Sequence, residues 1–246
     1  MQYWNALDTL NQVAGEVGLP RMATIVVGPD DQNSVQINQL LAALNSAGNE
    51  LGLYYPWEQF HREIEYQLVE GQGAYALPPD WNYFIDQTQW DRTNHWPLLG
   101  PKSPAEWAWL KGGLLASFPR MRYRVMNNKL EFWPVPQSNS EFRMAMEYVS
   151  SHWVQSPDAV DQQPDKAMVN QDGDILWYHP WLLVKYAKLK WMTLKNFPAE
   201  AAASDFKQMY DSLKGKDTGA QVLSMVPQRT PFFIGPWSVP DGNWNV

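Results

Sequence analysis

The stretch Arg120-Met121-Arg122-Tyr123-Arg124-Val125-Met126-Asn127-Asn128-Lys129-Leu130-Glu131-Phe132-Trp133 decides what kind of fold this chain builds. Side chains alternate across a strand, so Arg120, Arg122 and Arg124 share one face while Met121, Tyr123 and Val125 share the other. Asn127-Asn128 suits the two positive φ angles of a tight hairpin turn, and Leu130 to Trp133 supplies the returning strand. A further run, Phe142-Arg143-Met144-Ala145-Met146-Glu147-Tyr148, puts Phe142, Met144, Met146 and Tyr148 on one side and reads as a partner strand. The pattern predicts an antiparallel β unit with one apolar face.

On either side of this unit the period becomes helical. Trp4, Leu7, Leu10, Val13 and Val17 recur at three- or four-residue spacing and predict a helix over 1–20, ended by Gly18 and Pro20. A second helix starts at Asn33-Ser34 with the stripe Val35, Ile37, Leu40, Leu41, Leu44 and Ala47, and Gly48 and Gly52 punctuate its end. After Tyr54-Tyr55-Pro56-Trp57-Glu58-Gln59-Phe60, the stretch on to Tyr66 fits a strand or a short helix. Val69 to Leu77 reads as strand–turn–strand, closed by Pro78-Pro79-Asp80. Residues 156–174 form a polar linker loop. A helix over 175–214 follows, with Pro180 in its first turn, an apolar band at Leu183, Tyr186, Leu189 and Leu194, and a break at Asn196-Phe197-Pro198. The remainder carries Pro227, Pro231, Pro236 and Pro240 with Phe232, Phe233, Trp237 and Trp244. Such a segment makes no core of its own. It is disordered or docks on something else.

The expected fold is therefore α+β: a helical bundle from 1–75 and 175–217, a small inserted antiparallel β domain at 76–155, the linker loop, and an extended C-terminal arm over 218–246.

Composition narrows the functions. The 246 residues are 45% apolar and only 18% charged, below the usual ~25%, which suits one or two folded domains at ~150 residues each. The absence of cysteine excludes a disulfide scaffold, thiolate zinc, iron–sulfur ligation and a cysteine nucleophile. A net charge of -7 disfavours nonspecific wrapping of nucleic acid. No apolar run of about 18 residues predicts a membrane span. Met1-Gln2-Tyr3-Trp4-Asn5 has no basic leader pattern, so the chain is expected to stay in the compartment where it is made.

The motifs for chemistry are thin. His61, His95, His152 and His179 have no histidine at i+4 and no His-Glu-x-x-His context. Asp172-Gly173-Asp174 fails as a calcium loop, because the twelfth position from Asn170 is Trp181; it reads instead as a helix N-terminal cap. No Gly-x-Ser-x-Gly occurs, no Ser-x-x-Lys sits on a strand–turn–helix, and neither Gly-rich phosphate fingerprint is present. Lys111-Gly112-Gly113 reads as a helix end. Glu58, Glu63, Glu65, Asp86 and Asp91 could supply an acid pair for sugar hydrolysis only if two of them face each other. The 14 tryptophans keep a carbohydrate-binding module open as the alternative function. Arg120, Arg122 and Arg124, with Lys102, Lys111 and Lys129 nearby, suit phosphate or the acids of a neighbouring subunit, and the acidic chain favours the second.

Several motifs together resemble the head-to-tail adaptor proteins of tailed bacteriophages. Tyr75-Ala76-Leu77-Pro78-Pro79-Asp80-Trp81 is similar to their entry motif. Trp96-Pro97-Leu98-Leu99-Gly100 with Pro104-Ala105-Glu106-Trp107 resembles a second element, and the hairpin from Arg122 to Pro134-Val135-Pro136 a third. Tyr148 takes the place of a family tyrosine, and Asp172 and Asp174 match the aspartate that opens the long C-terminal helix. The resemblance spans about 33–214. It implies a structural virion protein without catalysis or cofactor. It implies a ring of copies, typically a dodecamer, between the portal protein and the downstream nozzle or tail-tube proteins at the head–tail junction. DNA would only pass through its channel. Arg120, Arg122, Arg124, Phe232, Phe233, Trp237 and Trp244 are then the candidates for subunit or portal contact, the last four through an arm reaching toward the portal.

Overall fold

The computed structural model describes residues 3–28, 33–112, 120–136 and 142–217. In chain order these form β1 (Trp4–Asn5), α1 (Ala6–Glu16), α2 (Ser34–Tyr54), a 3-10 turn (Glu58–Phe60), β2 (His61–Gln67), β3 (Ala74–Ala76), β4 (Trp81–Phe84), β5 (Trp90–Asp91), β6 (Trp96–Pro97), α3 (Pro104–Lys111), β7 (Arg122–Met126), β8 (Lys129–Trp133), β9 (Arg143–Ser150), β10 (Val154–Gln155), β11 (Ile175–Leu176), α4 (Pro180–Leu194) and α5 (Glu200–Asp217). The fold is mixed helix and antiparallel sheet. It divides into two compact units: 3–61 with 149–217, and 62–148.

In the first unit, α1, α2 and α5 pack on α4, and β1, β11 and β10 form a small sheet beside them. The first helix starts later than its period suggests. Trp4 lies in β1 opposite Leu176, and the Asn5 side chain caps α1 by accepting the Asp8 N–H at 2.7 Å. The second helix runs through Gly48 and Gly52 instead of ending there. These glycines make room for other groups. A Cβ on Gly48 would sit 2.3 Å from the Trp153 ring, and one on Gly52 would sit 3.2 Å from the Tyr178 hydroxyl.

The long C-terminal helix is two helices, broken where Asn196 adopts φ 57°, and it starts at Pro180 because 175–176 are spent in β11. Asp172 and Asp174 do not cap α4; their backbone carbonyls instead accept the first N–H groups of α1, from Leu7 at 3.3 Å and Ala6 at 2.8 Å. Asp174, fully buried, accepts the N–H groups of Asn170 and Gln171 and pairs with Lys166 at 2.6 Å. Asp172 accepts from the Ile25 N–H at 2.7 Å and the Thr24 hydroxyl at 2.8 Å. Both carboxylates satisfy loop backbone, as short acidic side chains do. Residue His179 stands at the start of α4 without a side-chain cap.

A charge centre joins α2 to α4. Glu50 accepts from Ser46 and Tyr54 at 3.2 Å each, and from Tyr186 and Lys190. Burial alone pushes its carboxyl up, but the hydrogen bonds from Lys190 and Tyr186 and the Lys190 charge outweigh it and hold it at about 2.

In the second unit two sheets share a core. One has the order β2-β9-β5-β6 with β4 also on β9; the other is β3-β8-β7. The hairpin forms as its sequence predicts: Asn127 and Asn128 take φ 52° and 56°, joining β7 to β8 in the register Arg124↔Glu131. The run from Phe142 to Tyr148 forms a strand but is no hydrogen-bonded partner of that hairpin. It pairs with β5 at Trp90↔Ala145, and its Met144 and Met146 meet Tyr123, Leu130 and Phe132 across the core. The strands flanking the 69–73 turn also part, β2 to one sheet and β3 to the other. Tyr66, Tyr75 and Phe132 close the gap in edge-to-face contacts of 5.7–6.2 Å. The arm over 218–246 lies outside the described residues.

Two measurements check this account. Ala outscores Gly inside a helix by ~1 kcal/mol, and Gly15 in α1 has nothing within 4 Å of an added Cβ. Gly15→Ala should therefore raise the melting temperature, while Gly48→Ala, overpacked against Trp153, should lose ~1–2 kcal/mol net in denaturant unfolding. The Glu50 carboxyl lies below its ordinary 4.5 when folded. Its contribution is complete above that value and lost as the pH falls toward 2. Thermal melts across that window should show the wild-type advantage over Glu50→Gln shrinking toward pH 2.

Candidate functional site

The basic strand comes first. Arg122 and Arg124 lie on β7, and Arg120 precedes it; all three are half-buried and alternate with the buried Met121 and Tyr123. The Arg120 guanidinium stands 5.8 Å from the Trp96 ring centroid, a cation–π distance. Arg124 stands opposite Glu131 in the strand register, and the ion-pair partner of Glu131 is Lys111 of α3 at 3.0 Å. The outer edge of β7 is covered. Leu99 bridges it in parallel, and the Leu99, Tyr123 and Lys102 N–H groups bond across at 3.1–3.3 Å. Gly100 permits this approach, since a Cβ there would meet the Tyr123 carbonyl oxygen at 2.6 Å. The hairpin is thus closed to strand addition along 121–123, and its arginine face is what it offers. Phe232, Phe233, Trp237 and Trp244 lie outside the described residues.

Of the acids considered for hydrolysis, Asp86 is exposed and the other four have neighbours of their own. Glu63 pairs with Arg92 at 2.7 Å and Glu65 with Arg143 at 3.4 Å. Asp91 accepts the Thr93 and Asn94 N–H groups of its own turn at 2.9 Å each. Glu58 stands 3.5 Å from His61. Among the described residues no group of three His, Asp or Glu is placed to hold a metal ion. Of the described tryptophans, Trp109 and Trp181 are the exposed ones. They belong to different units. Gly112 ends α3, as its sequence predicts.

The motif residues meet in joints rather than in a reaction centre. Asp80, 5% exposed, bonds the Arg62 guanidinium at 2.9 Å and accepts the Tyr148 hydroxyl at 3.1 Å. Burial first, then the Asp80 charge, pushes the Tyr148 hydroxyl up to about 12, so it stays a donor. The pattern of the sequence held both Asp80 and Tyr148 but not Arg62, which lies 18 positions before its partner in a run without period. Ser103 and Glu106 form a capping box that starts α3. The Ser103 N–H, with Lys102 and the Ser103 hydroxyl, holds the Glu106 carboxyl below its ordinary value. Trp107, from the same motif, is buried.

Residues 5–231 match the protein-family model described as SU10 adaptor protein. The chain belongs to the SU10 adaptor protein family. A search of curated proteins finds no match. The SU10 adaptors are structural proteins of phages, not enzymes. The membership agrees with a molecule whose buried carboxylates Asp80, Asp91 and Asp174 are engaged by neighbouring protein groups. No described helix is long and apolar enough to cross a membrane.

Removing one partner of a buried pair strands the other. Asp80→Ala should cost about 3 kcal/mol in equilibrium unfolding, while Tyr148→Phe, which removes a single hydroxyl, should cost ~1 kcal/mol. Equal losses would show that the aspartate does not organise the cluster.

Proposed function

We propose that this SU10 adaptor is a head-to-tail subunit: copies close into a ring, a dodecamer by resemblance, that sits between the portal and the tail and lines the DNA channel. The match to a phage adaptor family over residues 5–231 carries the reading. The half-buried arginine face supports it. Guanidinium groups with their stems already packed lose little freedom on meeting acids of a neighbour, and arginine is enriched at interfaces. A ring requires a heterologous contact, one face of each copy against a different face of the next. In this reading the two units are the helical bundle and the inserted β domain, and residues 218–246 are an extended arm whose Phe232, Phe233, Trp237 and Trp244 anchor it on a neighbouring subunit or the portal. The protein then belongs to the virion, at the head–tail junction. DNA passes through the ring and is not gripped, since the net charge is -7.

Light scattering gives the mass of the protein alone and after mixing with the portal of the same genome. A many-copy complex is expected in the mixture. A monomer that ignores the portal would overturn the reading. Arg120→Glu with Arg124→Glu, in a variant whose melting temperature is unchanged, should weaken assembly roughly tenfold. Unchanged assembly would remove the arginine face from the contact.

A further inference from the structure

Within the first unit the three packed helices fix two ends. Trp4 meets Trp181 and Glu16 meets Lys188, so α1 and α4 run the same way. Tyr54 meets Tyr186 and Glu50 meets Lys190, so α2 runs opposite to them. At the N-terminal end of α2 lies a cavity of about 320 Å³ lined by apolar Leu19, Ile37 and Leu40 and polar Thr24, Asn33 and Gln36, with Arg21 the one charged lining residue among the described residues. Val26 and Val35, next in sequence to its lining, are 62% and 65% exposed. At the C-terminal end of α2, the Asp217 carboxylate accepts the Glu58 N–H at 3.1 Å, and Tyr210 packs on Trp57. The last described residue therefore stands at the far end of α2 from the cavity, ~30 Å away for a helix of this length.

We propose that the cavity is the receptor for residues 218–246 of a second copy of this chain. The inference rests on the ring reading above and names what its arm contacts. The segment carries two charges, Arg229 and Asp241, among apolar anchors that include Phe232, Phe233, Ile234 and Trp237. Its aromatic anchors suit the Leu19, Ile37 and Leu40 part of the lining, and its backbone groups can bond the Thr24, Asn33 and Gln36 side chains beside them. Its 29 residues span about 90 Å when extended in the polyproline manner, enough to reach a neighbour. A volume near 320 Å³ admits one or two aromatic side chains, the usual scale for an interface anchor. Origin and receptor at opposite ends of one unit allow a head-to-tail contact, the kind that closed rings use.

The chain has no cysteine, so introduced pairs report cleanly. Full-length Val35→Cys/Phe233→Cys and Val26→Cys/Trp237→Cys variants are oxidised alone and with the portal, and run on denaturing gels beside a Val160→Cys/Phe233→Cys control. Val160 is 94% exposed in the 156–174 loop and is not part of the groove lining. Interchain ladders at least about fivefold stronger than the control are expected for one or both groove pairs. Ladders no stronger than the control, or only fast-migrating intrachain loops, would overturn the proposal. Light scattering of the same mixtures separates the two failures. A portal-bound ring without groove cross-links sinks the docking alone, whereas no ring at all sinks the adaptor reading, and groove ladders without a ring keep the docking.

Discussion

The ring of Trp153 lies directly on the backbone of α2 at Gly48, and the first unit is organised around that contact. Trp153 follows the return of the chain from the second unit. Its indole N–H is shared between the Asn49 side chain at 3.0 Å and the Ala167 carbonyl at 2.8 Å. Neighbouring positions of the same helix face serve the same return segment. Asn45 exchanges two hydrogen bonds with Val169, and the Tyr178 hydroxyl donates to the Gly48 carbonyl at 3.1 Å beside Gly52. Positions 45, 48, 49 and 52 recur at helical spacing, so one full face of α2 is given to clasping an irregular segment. Small and amide side chains are what such a face requires, because the partner must come close and must have its backbone groups bonded.

That clasp explains where the sequence misleads. A glycine at three- or four-residue spacing near the end of an apolar stripe looks like punctuation, and nothing local separates a helix stop from a site of close approach. The difference is made by a tryptophan more than a hundred residues away. The same holds for Asp172 and Asp174, whose pattern before a helix suggests caps, while their partners are Thr24, Ile25 and the 166–171 loop. What is decided locally was legible: the Asn127-Asn128 turn, the alternation along β7, the break at Asn196, the early proline of α4 and the end of α3; β9 buries Ala145 as well as Met144 and Met146. Strand partners were not legible. Alternation tells which face of Met144 and Met146 is apolar, but the same apolar face is equally consistent with lying beside the hairpin and with lying across a core from it.

The candidate surface divides in the same way. Alternation alone places the three arginines on one face, and the structure adds that the Arg120 guanidinium already stands over the Trp96 ring. The motif residues that carried the family resemblance prove to be fasteners: Asp80 with Tyr148 and Arg62, Ser103 with Glu106, Asp174 with Lys166. A resemblance built on such positions informs on architecture first. It speaks of function only through the family that shares the architecture, which is why the family match and not the geometry of a site carries the functional reading.

The most lightly buried helix of the first unit is also its most suggestive. In the 18 residues of α5 only Ala202 is buried. The helix is held by rings: Phe206 stacked on Tyr186 at 4.2 Å, and Tyr210 edge-on to Trp57 at 6.0 Å. Flat aromatic contacts of this kind set direction while burying modest area. Lys185 and Asp205 add a partly exposed pair at 3.5 Å, worth little by itself in water. A helix fixed in direction but lightly buried contributes little to a core. Its consequence is positional: it carries the chain back along α4 and delivers Asp217 beside Glu58, so that the residues after it begin from a defined place.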